Sequence, residues 1–255
     1  MASGLQPINT AEHKDVKVNT EAGFDHIAAT HLTPVTIHEF ADVAANFPIV
    51  FLRDGTTGKM RAVALFGLAP GENLFVRDGK WLATYIPNHI GCLPFIPAGI
   101  DRPGEYAICL DADSPLVGEV GQPLYNEDGS ESEFLGHVRK MLEQLVEQDS
   151  ITQAFCDTLD SMDLLKEIAI QMADDKNQMR ELNGIFTLNS QRLHGLDDEK
   201  MADLHKKGFL GGAYAINHSF AQIKRLLQMR NEVGENPITR VNVRDLDEEI
   251  AANAK

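Results

Sequence analysis

The chain has 255 residues, 43% of them hydrophobic, enough to bury a sizeable core as one large unit or two small ones. It carries 23 basic against 38 acidic residues, a formal charge of −15, and its nearest approach to a basic patch is Lys206-Lys207, which excludes a nucleic-acid footprint and argues against docking on anionic membranes. No apolar run approaches the roughly 18 residues that a bilayer span needs, and no N-terminal stretch joins a basic start to an apolar core, so membrane insertion and a signal peptide are not expected.

Met1 to Val16 reads as a polar arm, and the alternation of Lys14 to Asn19 as an edge strand. Thr36 with Glu39 three residues on forms a capping box, opening a short helix from about Ile37 to Asn46. That helix feeds Phe47 to Trp81, which reads as three strands, Phe47–Arg53, Met60–Gly67 and Leu74–Arg77. Asp54-Gly55 and Asp78-Gly79 supply the turn chemistry, because glycine adopts the positive φ of tight hairpins. Pro87, Pro94 and Pro97 then limit the chain to one or two helical turns, and Tyr106–Leu110 reads as a buried strand.

The composition changes near Ser130. Ser132–Gln148 carries Phe134, Leu135, Val138, Met141, Leu142 and Leu145 at helical spacing, and a second capping box, Ser150 with Gln153, opens another helix. Leu164–Met172 and Met179–Leu188 read as a strand pair, which either extends the first sheet or forms a small second one. One helical turn over Ser190–Leu193, a helix capped by Asp197 or Asp198, and one long helix over Phe209–Met229 follow. From Asn231 onward the periodicity is lost, which predicts a mobile acidic tail or one that orders against a partner.

Templates for chemistry are sparse. Nine histidines include no pair at the i, i+4 spacing of two ligands on one helix face, and Cys-x-x-Cys is absent, so no metal site is predicted. Neither a Gly-x-Ser-x-Gly elbow nor a phosphate-binding glycine loop is present, and no cofactor or catalytic residue is predicted. Cys92 lies near His89, but sequence adjacency adds little to a nucleophile assignment; the three cysteines sit among apolar neighbours and read as buried reduced thiols, as in a cytoplasmic protein. Asp111 and Asp113 follow a strand two residues apart, placed either to share a proton or cation or simply to make a turn. Trp81, Tyr85 and Pro87 cluster beyond the hairpins, either as core and rim anchors or as the lining of a peptide-recognition groove, and His89, which otherwise reads as capping a turn, follows them closely enough to join such a groove. The candidate ligand-binding residues are therefore Trp81, Tyr85, His89, Asp111 and Asp113.

Pro48-Ile-Val-Phe, Val63-Ala-Leu-Phe-Gly-Leu, Gly71-Glu-Asn-Leu-Phe-Val, Trp81, Tyr85-Ile-Pro, Pro94-Phe, Asp111-Ala-Asp-Ser, Gln122-Pro-Leu-Tyr-Asn-Glu-Asp-Gly and Leu204-His205-Lys-Lys-Gly together resemble the SapC family of bacterial proteins, from about His13 to Met229. This family is distinct from the similarly named membrane permease of a peptide transporter. The resemblance supplies no catalytic or binding residues. It implies an accessory role beside TonB-dependent receptors, tryptophan-halogenase-like proteins and cupin-like oxygenases, which are often encoded alongside.

The expected fold class is α+β, with an N-terminal antiparallel sheet and a helix-rich second half. The expected domain runs over 13–229, divided into a β-rich part (13–129) and a helix-rich part (130–229), followed by a tail over 230–255. The expected function is a cytoplasmic, non-enzymatic protein that binds a peptide or protein partner, with homo-oligomerisation open. The alternatives are an enzyme with dispersed acidic residues and a structural subunit of a surface-associated complex.

Overall fold

Short strands bounded by proline, glycine and aspartate occupy the first half of the chain. The computed structural model describes residues 4–99, 106–234 and 236–253. The early elements are β1 (Leu5–Pro7), α1 (Thr10–His13), β2 (Lys17–Val18), β3 (Leu32–Pro34), α2 (Phe40–Ala44), β4 (Ile49–Arg53) and β5 (Met60–Leu65). The hairpin of β6 (Val76–Arg77) and β7 (Lys80–Trp81) comes next, then α3 (Asn88–Gly91), β8 (Phe95–Gly99), β9 (Tyr106–Asp111), β10 (Val117–Gly118) and β11 (Gln122–Pro123). The second half contains α4 (Glu133–Ser161), β12 (Leu165–Asp174), β13 (Met179–Leu188), α5 (Ser190–His194), α6 (Asp198–Lys206), α7 (Phe209–Ser219), α8 (Gln222–Val233), β14 (Ile238–Asp245) and α9 (Leu246–Asn253). The fold is α+β, and its paired strands are antiparallel.

The principal sheet has six strands in the order β14-β12-β13-β4-β5-β3. The strand pair of the second half extends the first-half sheet, because β13 pairs with β4 through Phe186 opposite Phe51. Smaller sheets follow the orders β1-β9-β8 and β10-β2-β11, so the strand at Lys17–Val18, expected at an edge, lies in the middle of its sheet. Asp78 and Gly79 both have positive φ (51° and 71°) and make the predicted two-residue hairpin. The β4–β5 turn is longer than predicted. Asp54 Oδ1 accepts from the amides of Thr56 and Thr57, and the positive φ falls on Gly58.

Two clusters of buried side chains meet along α4. Its N-terminal half buries Leu135, Val138, Leu142 and Leu145 against Val18, Phe95, Leu110 and Leu124. Its C-terminal half buries Phe155, Cys156 and Leu159 with Phe40, Phe51 and Ala213. Phe155 packs edge-on against Phe40 and Phe209, with ring centroids 5.8 and 5.3 Å away.

Three predicted boundaries are corrected. Helix α4 runs unbroken for 29 residues through the expected second start at Ser150. Thr152, in that region, donates its hydroxyl to Gln148 O at 2.7 Å within the helix rather than marking a new cap. The expected helix over Phe209–Met229 divides at Phe220-Ala221. Buried Ser219 donates to Ile216 O and accepts the Ile49 amide at the start of β4, while tightened i to i−3 bonds from Ala221 and Ile223 turn the chain. The tail expected to be mobile, or to order against a partner, instead contains β14, paired along β12 of the same chain from Ile238 to Asp245. The Asn231 side chain starts that strand by accepting from Ile238 N and donating to Ile238 O.

Because α4 belongs to both clusters, Leu142→Ala and Phe155→Ala are expected to shift one common unfolding transition. The expected losses are about 2–5 and about 3–5 kcal/mol respectively. Urea titration followed by helical circular dichroism and Trp81 fluorescence checks this. Separate transitions for the two signals would show that α4 does not couple the clusters.

Candidate functional site

The polar centre of the molecule is a buried carboxylate. Glu39 is 3% exposed and sits in the single 3₁₀ turn (Ile37–Glu39) that precedes α2. As the capping box predicts, its Oε1 accepts from Thr36 N at 2.8 Å. Its Oε2 accepts from the Tyr85 hydroxyl and from Asn88 N, each at 2.9 Å. The Thr36 hydroxyl lies between Glu39 Oε1 (3.2 Å) and Gln148 Oε1 (3.3 Å), and Asn88 Nδ2 also donates to Gln148 Oε1 at 3.3 Å. With no adjoining cation among the described residues, this carboxylate is thus held by hydrogen-bond donors from its own turn and from the 85–88 stretch.

This network positions the irregular stretch between β7 and β8. Asn46 Oδ1 accepts from the amide and hydroxyl of Thr84 at 3.0 and 2.9 Å. Trp81 packs with Phe24, Phe47, Phe66 and Phe75, its ring centroid 5.3 to 5.9 Å from theirs, and its Nε1 donates to Tyr85 O at 2.8 Å. His89 Nε2 faces Asp149 Oδ1 on α4 at 3.1 Å. Burial first, and then the Glu39 charge, push the Tyr85 phenol well above its ordinary range, so it remains a neutral donor.

Trp81, Tyr85 and His89 are therefore brought into one framework, with Trp81 as a core anchor and the other two as ties. Asp111 and Asp113 occupy the end of β9. There Asp113 N donates to Asp111 Oδ1 at 3.2 Å in a turn, and Asp111 N donates to Pro94 O. Neither aspartate lines the hollows between the 86–93 segment and α4.

Those two hollows measure about 210 and 290 Å³ and share Ile86, Gly91, Cys92 and Met141 as walls. The first continues over Phe24, Ile90, Phe95 and Phe134; the second over Leu145 and the amides of Asn88, Gln144 and Gln148. Ile86 is 41% and Met141 37% exposed, which is high for apolar side chains flanking a concavity. No lysine or arginine lines either hollow among the described residues. The α4 stripe is legible as helical periodicity, but its division into core (Leu135, Leu142) and groove wall (Phe134, Val138, Met141) depends on what packs opposite.

Cys92 is buried, and its thiol is pushed up to about 11 by burial, with Asp149 and Glu39 adding to the rise. An activated thiolate beside His89 is therefore not what the site contains. Among the described residues no group of three or more His, Cys, Asp or Glu side chains is arranged to hold a metal ion.

Glu39→Ala leaves the donors of Thr36, Tyr85 and Asn88 without their acceptor and is expected to cost about 3–5 kcal/mol in a denaturation experiment. Tyr85→Phe, losing one charge-assisted bond, is expected to cost about 1.5–3 kcal/mol. Because the folded phenol is raised, the Tyr85 contribution is complete below about pH 10, where an ordinary tyrosine ionises, and is lost as pH rises through the folded value. The alkaline fall in stability should accordingly be shallower in Tyr85→Phe than in the parent protein. The shift of Cys92 from 9.0 to about 11 lowers its thiolate fraction about a hundredfold, so iodoacetamide at neutral pH should label it far more slowly than free cysteine.

Among known proteins, the family model described as SapC matches residues 8–226, most of the chain. No curated protein and no solved structure matches it. No helix among the described residues is long and apolar enough to cross a membrane. The ordered motifs from Pro48 to Gly208 and the match over 8–226 agree, and the chain belongs to the SapC family.

Proposed function

We propose that the chain is a non-enzymatic binding protein that accepts an apolar segment of a peptide or protein partner between the 86–93 segment and α4. The observation that carries this reading is the pair of adjoining hollows, lined mostly by apolar side chains and by no lysine, arginine, aspartate or glutamate among the described residues, with Ile86 and Met141 exposed beside them. Apolar anchors entering two successive hollows suit side chains spaced along an extended peptide better than one compact molecule. The walls are held in place before binding by the Tyr85–Glu39, Asn88–Gln148 and His89–Asp149 contacts, which lowers the ordering cost of association.

Charge narrows the partner. With a formal charge of −15 and no lysine or arginine in the described lining, the surface favours a segment whose apolar anchors are flanked by Lys or Arg. An accessory role beside peptide- or tryptophan-modifying enzymes and TonB-dependent uptake, implied by the family resemblance, is compatible with such a partner.

Selection from a displayed random-peptide library tests the reading. Enriched peptides should carry two large apolar residues with neighbouring Lys or Arg. Ile86→Asp and Met141→Asp should each weaken the selected peptides about tenfold or more, about 1.4 kcal/mol, with little change in melting temperature because both side chains are partly exposed. Absence of enrichment, or binding indifferent to both substitutions, would overturn it.

A further inference from the structure

A third hollow, of about 400 Å³, lies between the end of the principal sheet and α7 and takes part of its wall from the C-terminal strand. Ile168, Leu188, Phe220 and Val243 give it an apolar surface. Lys166, Thr187, Asn217 and Asp245 supply the polar atoms that matter. This combination of apolar walls with a few placed polar groups is the usual make-up of a small-molecule site, and the volume is within the range of such sites.

The polar groups are unequally occupied. Asp245 accepts from Lys166 Nζ through Oδ2 at 2.6 Å and from Glu248 N, at the start of α9, through Oδ1 at 3.1 Å. Both of its oxygens are engaged, and its charge is balanced by Lys166. The Lys166 ammonium has two further N–H donors, and its side chain is partly exposed. Asn217 accepts the Ser190 hydroxyl on Oδ1 at 3.1 Å, but its Nδ2 has no hydrogen-bond partner among the described residues. The hydroxyl of Thr187, a residue only 8% exposed, also has none among them.

From this we infer that the hollow binds a small neutral molecule with an apolar body and a carbonyl acceptor, such as an amide, ester or lactone. The unengaged groups are predominantly donors, so the matching ligand atom is an acceptor. The Lys166–Asp245 pair leaves no net charge for a ligand anion to neutralise, and the chain's formal charge of −15 opposes a carboxylate. A ligand ammonium would meet unengaged donors and the like charge of Lys166, whose ammonium already sits on Asp245 Oδ2. Val243 and Asp245 lie beyond the family-matched residues 8–226, so the site requires the C-terminal strand as well as the family domain.

The test uses the full chain, isotope-labelled for nuclear magnetic resonance, and three probes with one apolar body: 4-methylpentanamide, 4-methylpentanoate and 4-methylpentylamine. The amide is expected to give saturable shifts at Thr187, Leu188 and the Asn217 side chain in the millimolar range, with the carboxylate and amine at least tenfold weaker. Asn217→Asp keeps the acceptor for Ser190 while replacing the donor with a charge, and Thr187→Val keeps the shape without the hydroxyl. Each should weaken the amide about tenfold or more with the melting temperature nearly unchanged. The inference is overturned if the amide gives no saturable shifts there, if the carboxylate or amine binds as well as the amide, or if both folded variants bind like the parent.

Discussion

A carboxylate buried to 3% exposure needs its hydrogen bonds, and the arrangement around Glu39 follows from that requirement. Its acceptors reach Thr36 at the start of its own turn, Tyr85 beyond the β6–β7 hairpin and Asn88 at the start of α3. Satisfying one local cap thereby pins a distant stretch of chain, residues 85–88, at two points. Gln148 and Thr152 extend the same junction to α4, the latter by accepting Ile37 N at 2.9 Å. Apolar packing supplies the general driving force, but this polar junction specifies where the long helix lies against the β-rich half.

The groove depends on that junction. Between β7 and α3 the chain forms no regular element, and the proline at 87 prevents a longer helix through this stretch. Its backbone position comes from side-chain ties to Asn46, Glu39, Gln148 and Asp149 instead. Held in this way, Ile86 and Met141 stand on opposite sides of a concavity rather than collapsing into the core. The cysteine between them is a packing residue whose environment disfavours the thiolate.

At the other end of the principal sheet, β14 completes the pairing of β12 and contributes Val243 and Asp245 to a separate hollow. The family-matched region stops at 226, before this strand. In this chain the C-terminal segment both covers a sheet edge that would otherwise be open and alters the chemistry of the hollow by neutralising Lys166.

Local physics made much of the fold legible. The apolar runs of β4 and β5, the Asp78-Gly79 turn, the Thr36–Glu39 cap and the helical stripe of α4 each follow from side-chain periodicity or from the backbone preferences of a few residues. The sequence by itself therefore determined the α+β class and most element positions, because those depend on neighbours in the chain. Tertiary structure decided where local signals competed. Thr152 and Ser219 use their hydroxyls on backbone groups across the fold, so one expected helix break vanished and another appeared. The polar tail became a strand because β12 offered it an unpaired ladder. Trp81 and Tyr85 were readable as a cluster and Asp111 and Asp113 as a turn, yet the roles of Trp81, Tyr85 and His89 as anchor and ties and the groove faced by Met141 arise from contacts between segments distant in sequence, which local periodicity does not encode.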